Sequence, residues 1–112
     1  MLRRRMLTAV GGAAAALGLV LATAASSSAA TSYSVAPGYR VNVRSGPSTQ
    51  YAIVRVLPLD AKVAIYCQKD GETITGPYGT TKIWDNIAPG EYVSDAYVHT
   101  GSDEMVAPAC RV

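Results

Sequence analysis

The stretch VNVRSGPSTQYAIV, Val41 to Val54, decides the fold class. Apolar and polar residues alternate from Val41 to Arg44, as in a β-strand with one buried face. The alternation stops at Gly46 and Pro47, because glycine frees the backbone whereas proline fixes φ and removes a hydrogen-bond donor. Apolar residues resume before Val54. The stretch therefore predicts two strands joined by a loop.

Short strands of the same kind are predicted further along the chain. Residues 62–68, KVAIYCQ, form the strongest of them, with Val63, Ile65 and Cys67 expected on one face. Residues 82–87, KIWDNI, form another. No apolar period of 3.6 residues persists for a helix of ordinary length. The fold class is therefore predicted to be all-β, a small barrel or sandwich.

The predicted connections are rich in Gly, Pro and Asp. A turn is expected at Asp60, which tolerates a left-handed conformation, and another at residues 69–71, KDG. Residues 72–81 contain two glycines and a proline, and they predict a long connecting loop or an irregular hairpin. Residues 94–98 allow one short helical turn before a last strand. Residues 31–38 are expected to be a short polar leader.

Residues 1–30 have the three parts of a signal peptide. Arginines occupy positions 3–5, an apolar run follows to Ala22, and small residues precede the expected cleavage after Ala30. A membrane anchor is the alternative, but the run is rich in Gly and Ala and marginal for about 30 Å of hydrocarbon. Cleavage is favoured, and it leaves no stable membrane span. Both the general secretory and the twin-arginine export routes stay open.

Removal of this segment changes the charge of the protein. Residues 31–112 carry seven Lys and Arg against eight Asp and Glu, a net charge of −1. No basic cluster remains, so a nucleic-acid partner is not expected. The 82 residues allow one small domain, which buries only about 60–65% of its unfolded surface. Such a domain has a small free energy of unfolding. The protein is expected to be a monomer.

The two cysteines, Cys67 and Cys110, are an even count in a chain that carries an export signal. A disulfide is the favoured interpretation. A structural metal would need further ligands, and the single histidine does not supply them, so no metal site is predicted. A catalytic thiol is the remaining alternative.

No pattern in the chain predicts catalysis. His99 has no nucleophile or metal partner suggested by spacing, so a surface or structural role is favoured. Asp103 and Glu104 form an acidic pair that is expected to be solvated rather than to act as an acid–base couple. The chain has no phosphate-binding glycine motif, no cysteine–histidine zinc pattern and no G-x-S-x-G. We therefore expect a non-enzyme without catalytic residues or cofactors.

Two motifs resemble those of bacterial SH3 (SH3b) domains. Residues 42–48, NVRSGPS, are similar to the opening signature of the family, and residues 90–98, GEYVSDAYV, are similar to its closing one. The resemblance covers residues 39 to 100 and implies an SH3-like barrel of about five strands. Residues 45–50 would then begin the RT loop, the long arm beside the ligand groove.

The chain departs from the SH3b pattern at two places. Asp60 stands where the family has the glycine of the diverging turn, and residues 72–81 are longer than its common n-Src loop. Cysteine placement and residues 67–87 resemble secreted actinobacterial SH3 proteins, which implies a disulfide from the second strand to the C-terminal tail. Residues 39–112 are therefore predicted to form one SH3b-like domain with a disulfide-tethered tail.

Recognition is the function that the resemblance implies. It places Trp84 and Tyr97 in the ligand groove, Tyr51 in the RT arm and Tyr78 at the tip of the long loop. Ligand contact and surface packing are both open for these four, whereas Tyr66 is expected to fill the core or cover its edge. SH3b domains usually target cell-wall hydrolases to peptidoglycan, but this chain has no room for a hydrolase.

A secreted, free-standing module that binds cell-wall peptides is therefore the leading functional hypothesis. The alternative is an interaction or inhibitory protein with a secreted protein as its partner.

Overall fold

The computed structural model describes residues 30–111, and it confirms the all-β fold class. The predicted signal peptide lies outside the described residues, apart from Ala30. Eight strands occur within residues 30–111, against about five expected. The strands are β1 Ser32–Val35, β2 Val41–Arg44, β3 Ile53–Leu57, β4 Lys62–Ala64, β5 Cys67–Gly76, β6 Gly79–Ala88, β7 Glu91–Ser94 and β8 Val98–His99. A 3-10 turn, Asp95–Tyr97, precedes β8, as the sequence predicted.

The strands form two antiparallel sheets. The larger sheet has five strands in the order β3-β2-β7-β6-β5, and the smaller has three in the order β4-β1-β8. Valine, leucine and isoleucine side chains from both sheets share one core. The core consists of Val35, Val41, Val43, Leu57, Val63, Ile65, Ile87, Val93 and Val98.

Residues 72–81 belong to an irregular hairpin, one of the two predicted forms. Strands β5 and β6 pair from Cys67 with Asn86 to Gly76 with Gly79, and the register shifts between Asp70 and Ile74. The turn predicted at residues 69–71 is therefore wrong, because these residues belong to β5, at the start of a β-bulge. A bulge and a turn both use glycine, so the sequence alone does not separate them.

The segment expected as a leader contains strand β1. It lies in the centre of the smaller sheet, paired with β4 and with β8. Of its four residues only Val35 is buried. Tyr33 and Val35 alternate with serines and face the core, but an alternation of only four residues is at the lower limit of what predicts a strand.

The strand predicted at residues 62–68 is split in two. The Ile65 N–H donates to the Thr31 carbonyl at 3.2 Å, beside the smaller sheet, while the Tyr66 N–H donates to the Asn86 carbonyl of the larger sheet at 2.9 Å. The chain thus passes from one sheet to the other between these two residues. The corner turns Tyr66 outward, 54% exposed, so Tyr66 does not fill the core, which was one of its two expected places.

The predicted disulfide between Cys67 and Cys110 is confirmed. Beside it, the Gln68 N–H donates to the Pro108 carbonyl at 2.9 Å, and the Cys110 N–H donates to the Gln68 carbonyl at 2.8 Å. These bonds hold the tail along the outer edge of β5. Asp60 has φ 61°, the left-handed conformation predicted for it. No helix within residues 30–111 is long and apolar enough to cross a membrane.

Candidate functional site

A groove of about 280 Å³ lies on the outer face of the larger sheet. Strand β2, the loop at residues 45–52, the β5–β6 hairpin and the 3-10 turn all contribute to its wall. Strand β2 contributes a polar residue to the wall because its side chains alternate between the two faces of the sheet. Val41 and Val43 are buried in the core, while the intervening Asn42 is turned outward. The residues that define its chemistry are Tyr39, Arg40, Asn42, Ile74, Trp84 and Tyr97.

Three aromatic side chains line this groove. The rings of Tyr39 and Tyr97 meet edge to face, with 5.6 Å between their centroids and 64° between their planes. Trp84 is only 2% exposed, so it forms part of the groove floor rather than a free contact. Its Nε1–H donates to the Glu72 carbonyl at 2.8 Å, which fixes the indole in place. The aromatic surface is thus preformed.

The four predicted aromatic residues do not form one site. Trp84 and Tyr97 line the groove together, while Tyr51 is exposed on the 45–52 loop and is not part of the groove wall. Tyr78 lies in a second cavity. Tyr39, which does line the groove, was not predicted as a site residue. The sequence did offer a signal, because Gly38 indicates a turn directly before Tyr39. In the structure Gly38 has φ 83°, and the Tyr39 side chain after this turn is exposed.

The 45–52 loop is held rigidly beside the groove. The Arg44 guanidinium donates from Nη1 to the carbonyls of Thr49 at 3.2 Å and Tyr51 at 3.0 Å. The Glu72 carboxylate accepts from Thr49 N–H at 2.7 Å, from Thr49 Oγ1 at 2.6 Å and from Ser48 Oγ at 3.2 Å. The Thr49 hydrogen bonds lower the pKa of Glu72. A carboxylate from the bulge in β5 therefore caps the loop.

The backbone freedom expected of Gly46 in the sequence is not used at this position. Positive φ occurs among the described glycines at Gly38, Gly79, Gly90 and Gly101, not at Gly46. The residue is small for a different reason: a Cβ there would lie 2.7 Å from the Tyr51 ring, which covers it. Gly71 is more tightly enclosed, since a Cβ would overlap the Pro47 carbonyl oxygen and lie 2.9 Å from Trp84 Cδ1.

Gly71→Ala is expected to lower the free energy of unfolding by about 1–3 kcal/mol, because the new methyl group would push the Pro47 backbone away from the bulge. Gly46→Ala is the matched control, and it should cost less because the exposed Tyr51 ring can rotate aside. Urea unfolding followed by the emission of Trp84, the single tryptophan, measures both. An equal or larger loss in Gly46→Ala would contradict this explanation.

A second cavity of about 500 Å³ lies between the hairpin tip and residues 98–103. The rings of Tyr78 and His99 stack in it, with 5.1 Å between centroids and 14° between planes. Asp95 and Asp103 also line it. His99 is exposed, as predicted for a surface histidine. The stack accounts for the position of His99 without assigning it any chemistry.

A buried polar cluster lies beneath the larger sheet. Gln68 and Asp85 are cross-strand partners, both fully buried, and Gln68 Nε2–H donates to Asp85 Oδ1 at 2.7 Å. Gln68 Oε1 accepts from the backbone N–H groups of Val106 at 2.7 Å and Ala107 at 3.1 Å. Gln68 therefore connects the carboxyl of Asp85 to the tail.

Asp85 also interacts with Asp95, and the pKa of both carboxyls is raised. Burial raises the pKa of Asp85 to about 9, and the hydrogen bond to Asp95 and its charge act in the same direction. Burial raises the pKa of Asp95 as well, although the hydrogen bond from Asp85 opposes this. Asp85 Oδ2 has no hydrogen-bond partner among the described residues. Sequence alone did not identify this pair.

The described residues offer no metal centre. Within residues 30–111, no group of three or more His, Cys, Asp or Glu side chains is placed to hold a metal ion. What the groove can do chemically is bind: it presents flat aromatic surface, an amide and guanidinium groups.

Two proteins of Bacillus subtilis (strain 168) are similar to this chain. Uncharacterized protein YraI is 46% identical over 85 residues, which cover 69% of this chain and 71% of YraI. Uncharacterized protein YraJ is 44% identical over 86 residues, which cover 70% of this chain and 73% of YraJ. No protein-family model matches the chain. Identity of this level over more than two thirds of each protein means that the chain belongs to the family of YraI and YraJ.

Proposed function

We propose that this protein is a secreted, non-catalytic module of the SH3b type that binds cell-wall peptides in the aromatic groove. The observation that carries the proposal is the groove itself. The Tyr39–Tyr97 pair and the indole of Trp84 form an apolar surface beside the loop at residues 45–52. Tyrosine and tryptophan give large contact area with few rotatable bonds, which suits peptide recognition.

The position of the groove also supports the proposal. The resemblance to SH3b domains implies that a ligand lies beside the RT loop, and the groove lies beside the loop that would correspond to it. Arg44 and Glu72 hold this loop in one conformation, so little ordering is needed when a ligand binds. The preformed wall favours binding as the role of this face.

The disulfide supports an extracellular location for this function. Disulfides form and persist in oxidising compartments, and the Cys67–Cys110 bond joins strand β5 to the tail. Together with the predicted signal peptide, it favours a protein that acts outside the cell, at or near the wall. The proposed module is monomeric, and it uses no cofactor.

Co-sedimentation with purified sacculi tests the proposal. The wild-type protein is expected to sediment with them, and Tyr39→Ala or Tyr97→Ala should weaken binding about five-fold, the effect of removing a contact of about 1 kcal/mol. Tyr66→Ala is the matched control, because Tyr66 is exposed and does not line the groove. Trp84→Ala is unsuitable, since loss of the buried indole would disturb the fold.

The co-sedimentation experiment can also contradict the proposal. Each variant is first shown to be folded from the emission of the buried Trp84. Absence of wild-type binding, or equal binding by the folded Tyr39→Ala, Tyr97→Ala and Tyr66→Ala proteins, would contradict the proposal.

A secreted protein partner is the second candidate, and strand β3 favours it. This strand lies at one edge of the larger sheet, where Ile53, Val54 and Val56 are 48–50% exposed. An apolar sheet edge can add a strand of another protein. Capture of one protein from culture medium by the wild type, but not by Val54→Lys, together with no binding to sacculi, would favour this candidate.

A further inference from the structure

The charged groups of the groove differ from those of the whole domain. Arg40 and Arg44 both line the groove, and among the described residues no Asp or Glu lines it. The domain that follows the predicted signal peptide nevertheless carries a net charge of −1. The groove is thus a local positive site on a weakly acidic protein.

The two arginines are not equivalent. Arg44 is engaged in the structure: it donates to two loop carbonyls, and its charge is close enough to that of Glu72 to lower the Glu72 pKa. Arg40 is exposed, and its side chain has no hydrogen bond or ion pair with any of the residues 30–111. It follows Tyr39, whose ring packs against Tyr97. One unpaired guanidinium therefore adjoins the aromatic surface.

We infer that Arg40 binds a carboxylate of the peptide ligand, so that the groove selects an acidic peptide over an uncharged one. The inference rests on the proposed function. A guanidinium presents two parallel N–H groups that match the two oxygens of a carboxylate. The rings of Tyr39 and Tyr97 would contact the apolar part of the same peptide. The guanidinium and the aromatic rings would then bind adjacent parts of one ligand.

A long anionic polymer is a poorer match than a peptide. Binding of a polyanion requires several cations, and its affinity falls steeply with salt for each phosphate neutralised. The groove has one arginine without a protein partner. We therefore expect a shallow salt dependence, that of a single charged contact.

Titration with a synthetic wall stem peptide tests the inference. The peptide is used with free carboxylates and with every carboxyl amidated, and binding is followed by Trp84 emission or calorimetry. For the wild type, amidation is expected to raise Kd about five- to tenfold, as for loss of a charged hydrogen bond. For Arg40→Met, the two peptides should bind with equal and weak affinity. Arg111→Met, an exposed cation outside the groove, should behave as the wild type.

Two further peptides identify the source of the carboxylate. One is amidated only at its C-terminus and the other only at its side chains, and the weaker binder lacks the group that Arg40 takes. Equal affinity of the wild type for free and fully amidated peptide, with binding still lost in Tyr97→Ala, would overturn the role of Arg40 and leave the groove as the site. Failure of the wild type to bind either peptide or sacculi would overturn both proposals.

Discussion

Replacing Cys67 and Cys110 together by alanine is expected to lower the free energy of unfolding by about 2–5 kcal/mol. The bond joins residues 43 positions apart, so its loss frees a long loop in the unfolded chain. A domain of this size has little core with which to compensate. The tail also loses its covalent attachment beside Gln68, whose backbone it pairs with. Urea unfolding monitored by Trp84 emission gives the change directly.

Reduction of the wild-type protein serves as the control. Dithiothreitol should shift the unfolding midpoint of the wild type to that of the double alanine variant, and it should leave the variant unchanged. An unfolding midpoint that does not differ between the oxidised wild type and the variant would contradict a stabilising role for the disulfide.

Stability is expected to fall as pH rises from about 4 to about 9, because Asp85 is protonated in the folded protein. Its folded pKa of about 9 lies above the ordinary value of 3.8, so the folded state holds a proton that the unfolded state has released. The stabilisation is complete below about pH 4, where both states are protonated, and it is lost as pH rises through the folded pKa. Asp85 alone should therefore make the free energy of unfolding decrease with pH throughout this range.

Asp85→Asn separates this effect from the titration of other groups. The amide keeps the shape of the side chain, stays neutral at every pH, and can donate to Asp95. The difference in unfolding free energy between variant and wild type should therefore increase with pH, in favour of the variant, up to about pH 9. The measurement is urea unfolding at pH 5, 6, 7 and 8. Curves that run parallel across this range would show that Asp85 is ionised in the folded protein.

Local rules predicted the parts of the fold whose cause is local. Alternation at Val41 and Val43 predicted strand β2, and the tolerance of Asp for the left-handed region predicted the turn at Asp60. The short helical turn was also predictable, and the Ser94 hydroxyl that accepts from Ala96 N–H caps it. These features depend on residues within a few positions of one another.

Features that depend on distant partners were not predictable in this way. Strand β1 exists because β4 and β8 pair with it, and these strands lie far along the chain. The break after strand β4 arises where the backbone changes sheets. In the groove, the SH3b resemblance led to Trp84 and Tyr97, but the burial of the indole follows from packing.

The pairing of β1 with β8 has a consequence for how the protein is made. Val35 pairs with Val98, and Ser34 with His99, so the first strand of the domain needs the last as its neighbour. The smaller sheet cannot be completed until the ribosome has released residue 99. Contacts between such distant positions also make folding slow. Strand β1 therefore lacks one of its two neighbours until the last strand of the domain has been made.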